Sequence, residues 1–160
     1  MKIKLSSISE TKKFATKLAD KLEGGEVILL TGNLGAGKTY FTKLLAQALG
    51  VKAEVKSPTY VLFQKYQGKK LDLYHFDLYR LEFSENIDIH EIGLYEAIGD
   101  PKGVVVVEWA ELLPRGSIEE SLQIKFDIVG EESREVELEA SGTKYESLLK
   151  SLELGSNEDV

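Results

Sequence analysis

Apolar residues along this chain follow two distinct spacings, and the spacing changes mark the elements. Val27-Ile28-Leu29-Leu30 and Val104-Val105-Val106-Val107 are unbroken apolar runs, which predict strands of a parallel sheet covered on both faces. By contrast, 121–129 and 134–140 alternate apolar and polar residues on either side of Gly130-Glu131-Glu132-Ser133. That pattern predicts an antiparallel hairpin. A second hairpin is predicted from 61–66 and 71–77, joined by Gln67-Gly68-Lys69-Lys70, and Ile3–Leu5 reads as a short edge strand.

Helical spacing appears in four places. Phe14, Leu18 and Leu22 recur at i, i+4 and i+8 behind a Ser7-x-x-Glu10 capping box, and Gly24-Gly25 ends that segment. Phe41, Leu44, Leu45, Ala48 and Leu49 fall on one face of a helix over 39–49, stopped by Gly50. Residues 84–98 read as helical in part, with a break at Gly93. A terminal helix over 143–152 places Tyr145, Leu148, Leu149 and Leu152 together. The combination predicts an α/β fold: a P-loop NTPase-like mixed sheet flanked by helices, with antiparallel hairpins. We expect a single domain over 1–154 and a disordered acidic tail over 155–160.

Composition narrows the possible functions. No segment approaches the roughly 20 apolar residues of a membrane span, and Met1-Lys2-Ile3-Lys4-Leu5 has no hydrophobic targeting region, so a cytoplasmic protein without membrane contact is expected. The absence of cysteine excludes disulfides and thiolate metal sites. A net charge of −7 argues against unaided binding of DNA or RNA, which requires concentrated Lys and Arg.

The candidate chemistry centres on Gly32-Asn33-Leu34-Gly35-Ala36-Gly37-Lys38-Thr39, which satisfies G-x-x-x-x-G-K-[ST] at every required position. Glycines there let backbone N–H groups approach a polyphosphate; Lys38 reaches the β- and γ-phosphates and the Thr39 hydroxyl ligates Mg²⁺. The strand before it and the helix after it set the phosphates at a helix N-terminus, with Tyr40 next in line. Holding a nucleotide does not hydrolyse it, and two acids stand where the remaining groups are usually delivered. Glu108 follows the Val104–Val107 strand and Asp77 ends the strand that begins at Leu71; both are candidates for metal coordination and catalysis, and spacing does not decide which ligates the metal. Ser57-Pro58-Thr59 lies where a loop sensing the γ-phosphate belongs. His75 falls on the face opposite Tyr74 and Phe76 and reads as structural. Arg80 suits either a phosphate or a carboxylate. Trp109, the one tryptophan, suits stacking on a base or a place in the core.

Taken together, the Gly32–Thr39 loop, Ser57-Pro58-Thr59-Tyr60, His75-Phe76-Asp77-Leu78-Tyr79-Arg80 and Glu108-Trp109-Ala110 resemble the TsaE family of bacterial tRNA-modification ATPases. The resemblance spans about 5–115. It implies binding of ATP or ADP with Mg²⁺, slow hydrolysis, and association with a TsaB–TsaD pair that forms N6-threonylcarbamoyladenosine at tRNA position 37, with tRNA met only through that complex. By the same resemblance, Asn33 to Tyr40 contact nucleotide, Ser57 and Thr59 form a switch-like loop, Asp77 and Glu108 act as metal or catalytic acids, and Trp109 lies beside the base. Two other readings are open: a small nucleoside or nucleotide kinase, and a nucleotide-responsive binding subunit with negligible ATPase. The three arginines, Arg80, Arg115 and Arg134, are few for a kinase lid.

Overall fold

The computed structural model describes residues 1–56, 63–79 and 92–156. Seven strands form one sheet: β1 (Lys2–Leu5), β2 (Val27–Gly32), β3 (Phe63–Tyr66), β4 (Asp72–Asp77), β5 (Gly103–Glu108), β6 (Ser121–Ile128) and β7 (Arg134–Ser141). Their spatial order is β1-β7-β6-β2-β5-β4-β3. The four central strands, β6, β2, β5 and β4, run parallel, while β3, β7 and β1 join antiparallel at the two sides. Both expected hairpins form, and β1 takes an edge.

The mixed topology follows from what covers each strand. Every residue of β5 is buried, as its valine run demands. In β6, Leu122, Ile124 and Phe126 are buried while Gln123, Lys125 and Asp127 face solvent, so this strand is covered on one side. The helices α1 (Ile8–Lys21), α2 (Lys38–Ala48) and α4 (Thr143–Ser156) pack on one face. There Phe14, Leu18, Phe41, Leu45, Tyr145 and Leu148 meet Ile28, Leu30, Val104, Val106 and Ile124. A smaller core lies on the opposite face, where Val27, Leu29, Phe76, Val105 and Val107 meet Leu94 and Ala97 of α3 (Leu94–Ile98). Adjacent residues of β2 and β5 therefore serve different cores, as a period of two requires.

Element ends have local reasons. β2 starts at Val27, as its apolar run does, and the Glu26 carboxylate before it turns back to accept the N–H groups of Glu23 at 2.9 Å and Gly24 at 2.7 Å, sealing the turn after α1. Ser7 caps α1 as its spacing predicts, accepting from the Glu10 N–H at 3.2 Å, but the Glu10 carboxylate returns to the Ser6 N–H. Gly93, at φ +80°, stands at the break expected there and directly precedes α3; 84–91 lie outside the described residues. The terminal helix runs past 152 to Ser156, taking in the first two positions of the expected tail, and 157–160 lie outside the described residues. A 3₁₀ turn over Ala110–Leu112, which periodicity does not reveal, follows β5 directly. Among the described residues, no helix is long and apolar enough to cross a membrane.

Candidate functional site

The site forms where β2, β4 and β5 end together. Gly32 closes β2 with φ +134°, and a methyl group there would lie 2.5 Å from the Phe126 carbonyl oxygen on β6. Glycine is required on both counts. The loop then folds on itself, the Ala36 N–H donating to the Asn33 carbonyl at 3.0 Å, before Gly37 opens α2 with φ +106°. Leu34 stands 70 % exposed at the tip.

Lys38 is buried despite its charge. Its Nζ donates to the Gly32 carbonyl and, at 3.2 Å, to that of Asn33, and it sits 3.9 Å above the centre of the Trp109 ring. Burial lowers the Lys38 pKa below its ordinary value of 10.5, while the negative charges of Glu111, Glu108 and Asp77 pull the other way. The ammonium is thus a cation held ready for an anion, with few solvent contacts to lose.

Thr39 and Glu108 meet as two facing oxygens. The Thr39 Oγ1 donates to Glu108 Oε1 at 2.6 Å, and the other carboxylate oxygen, Oε2, pairs with His75 Nε2. Glu108 and His75 are both essentially closed to solvent. Asp77 stands opposite Glu108 in the β4–β5 register and accepts the Tyr79 N–H at 3.1 Å. Tyr79 in turn packs against Trp109, ring centres 4.9 Å apart. Trp109 holds the αL conformation with φ +58°, the one non-glycine residue with positive φ among the described residues. That left-handed step turns the chain straight from β5 into the 3₁₀ turn, setting the indole against Lys38.

Two recesses flank the loop. One of about 280 Å³ is lined by loop residues with Asp77, Tyr79, Glu108 and Trp109. The other, of about 290 Å³, lies beyond Gly35–Gly37 between Ile8, Thr11, Tyr40, Glu131 and Arg134. Arg134 braces the wall between them: its Nε donates to the Ala36 carbonyl at 2.9 Å, and Nη1 donates to the carbonyls of Gly130 at 3.1 Å and Ser133 at 2.9 Å. One guanidinium thereby ties the phosphate-type loop to the β6–β7 turn.

The donor set suits a hard cation. Thr39 Oγ1 and the carboxylates of Glu108 and Asp77 offer oxygen donors to one pocket, and magnesium is commonly held by one or two carboxylates completed by phosphates and water. Among the described residues there is no group of three or more His, Cys, Asp or Glu able to hold a metal without such help.

Of the residues singled out by sequence, Lys38, Thr39, Asp77, Glu108 and Trp109 are brought together around one pocket, and Asn33 to Tyr40 line it or its margin. Ser57, Thr59 and Arg80 lie outside the described residues. His75, which reads as structural from its place in the strand, contacts Glu108 directly. Sequence reasoning misses Ile8, Thr11 and Arg134 in the second recess; these come from elements remote in sequence and carry no motif of their own.

The family model for "Threonylcarbamoyl adenosine biosynthesis protein TsaE" matches residues 5–136. The tRNA threonylcarbamoyladenosine biosynthesis protein TsaE of Bacillus subtilis (strain 168) is 39 % identical over 148 residues, 92 % of this chain and 90 % of that protein. The protein of the same description from Treponema pallidum (strain Nichols) is 38 % identical over 130 residues, covering 81 % and 93 % respectively. Among solved structures, the crystal structure of Bacillus subtilis YdiB superposes with a TM-score of 0.77 at 34 % identity, over 100 % of this chain and 96 % of that one.

Proposed function

This chain belongs to the TsaE family of tRNA threonylcarbamoyladenosine biosynthesis, and from that premise we propose that it binds ATP with Mg²⁺ and hydrolyses it slowly to ADP and phosphate in support of a TsaB–TsaD complex. The observation that carries this reading is the meeting of the Lys38 ammonium, the Thr39 hydroxyl and the Glu108 carboxylate within one pocket at a helix N-terminus. Anion, cation and water each have a partner of suitable chemistry there.

In this reading the nucleotide straddles the loop. The triphosphate lies along the N–H groups of residues 35–39 in the first recess, and the base enters the second, between Ile8, Thr11 and Tyr40. Trp109 then backs Lys38 at the phosphate end, where its indole faces the ammonium; this differs from the base-stacking place that family resemblance suggests. Lys38 turns from its loop carbonyls to the β- and γ-phosphates. Thr39 and Glu108 would hold the metal, and Asp77 would orient the attacking water from the neighbouring strand end. Magnesium, when bound, neutralises charge on the phosphate oxygens. Ser57 and Thr59 form the switch-like segment that reports the γ-phosphate to the partner, and the protein acts in the cytoplasm, meeting tRNA only through the TsaB–TsaD complex.

The test is ATP turnover measured alone and with TsaB–TsaD and tRNA. Release of inorganic phosphate, accelerated by the complex, is expected. Transfer of the phosphoryl group to an added nucleoside or nucleotide without phosphate release would establish a kinase instead. Tight binding with no turnover in the full assembly would leave only a nucleotide-responsive subunit.

A further inference from the structure

His75 occupies the middle of β4, fully closed to solvent, on the same sheet face as Leu73. Its Nε2 pairs with Glu108 Oε2, and its Nδ1 finds no partner among the described residues. A buried polar atom left unpaired costs on the order of 1–3 kcal/mol, so packing alone favours an apolar side chain at this position. Leu73 shows that the same face of the strand accepts one. What the imidazole adds is a single directed contact.

The direction of that contact follows from the acceptors available. Glu108 offers carboxylate oxygens, so the hydrogen bond forms when Nε2 carries the proton and donates. Against the carboxylate, the opposite tautomer would set two lone pairs against each other and bury an N–H at Nδ1 without an acceptor among the described residues. Glu108 is then held at both oxygens, Oε2 by His75 and Oε1 by Thr39 at 2.6 Å. With Thr39 and Oε1 given over to a cation, the His75 contact would be the side-chain hold that remains on Glu108 among the described residues.

Resting on the reading of Glu108 as a metal-site acid, we propose that His75 is a positioning residue that fixes the Glu108 carboxylate so that its Oε1 is presented to Thr39 and the metal. Contacts of this outer kind are worth about 10–100-fold in activity or metal affinity.

The experiment compares His75→Leu, His75→Gln and Glu108→Gln in the full chain. Nucleotide hydrolysis is read against both ATP and Mg²⁺ concentration, alongside ¹⁵N NMR of the histidine rings in ligand-free protein. With two histidines in the chain, the His75→Gln spectrum assigns the His75 signals. His75→Leu should lower kcat by about 10–100-fold. It should also raise the Mg²⁺ concentration needed for half-maximal rate, with the ATP KM changing by less than about threefold. His75→Gln, which retains an N–H at similar reach, should recover most of the loss. In the ligand-free wild type the spectrum should show the Nε2–H tautomer, with signals that move in Glu108→Gln.

An Nδ1–H tautomer overturns the proposal without any variant having to fold. So does wild-type Mg²⁺ dependence and kcat in His75→Leu, or equal impairment of the leucine and glutamine variants. If Glu108→Gln itself leaves turnover intact, the functional reading of the site fails first. If Glu108→Gln abolishes turnover and His75→Leu does not, the role of His75 alone is refuted.

Discussion

Lys38 shows the conflict between function and stability within a single side chain. Burial lowers its pKa, so charging it opposes folding; that penalty is fully present below the lowered folded-state pKa and disappears as pH rises toward the ordinary 10.5. Lys38→Met removes the buried charge while keeping an unbranched apolar stem. The ligand-free variant should melt about 2–4 °C higher than wild type and lose the alkaline gain in stability, while ADP should no longer raise its melting temperature. Thermal scans across alkaline pH, with and without ADP, check all three points. Arg134 acts at the same scale but on shape. Arg134→Ala removes the bonds to Ala36, Gly130 and Ser133; the partly buried one to Ala36 is of the order of 1.5–3 kcal/mol, and the exposed one to Gly130 is worth much less. Calorimetric titration should find ADP bound at least about tenfold more weakly, with the fold preserved by circular dichroism.

At the scale of elements, legibility tracked locality. The continuous valines of β5, the alternation of β6 and β7 and the capped α1 announce themselves because their determinants lie within a few residues. The loop was legible for the same reason, since Gly32, Gly37, Lys38 and Thr39 are contiguous. Contacts such as Arg134 to Ala36 or Thr39 to Glu108 join residues 98 and 69 positions apart, and no local period encodes them. The contact of His75 with Glu108 carries no local signal, because Glu108 arrives only when β4 and β5 pair. Gly32 tests the element-level account. Its backbone conformation and the nearby Phe126 carbonyl both exclude a side chain, so Gly32→Ala should destabilise the protein by about 2–4 kcal/mol and separate β2 from β6 at its end. Urea denaturation with amide exchange at residues 30–33 and 124–127 would reveal it; unchanged stability would contradict the close approach.

Across the whole molecule, the sheet gives the site its rigidity and its reach. The parallel centre brings the ends of β2, β4 and β5 to one edge, where loop, Asp77 and Glu108 converge, while the antiparallel β6–β7 hairpin brings Arg134 to the other side of the loop. Membership of the TsaE family places the chain in tRNA threonylcarbamoyladenosine biosynthesis. In the proposed function, Glu108 is needed for hydrolysis more than for holding the nucleotide. The most direct measurement is ATP turnover by Glu108→Gln in the presence of TsaB–TsaD and tRNA, paired with its ADP affinity. Turnover should fall by at least about 100-fold while the ADP dissociation constant moves by less than about threefold. Turnover within about twofold of wild type, in a variant that binds ADP normally, would contradict the account.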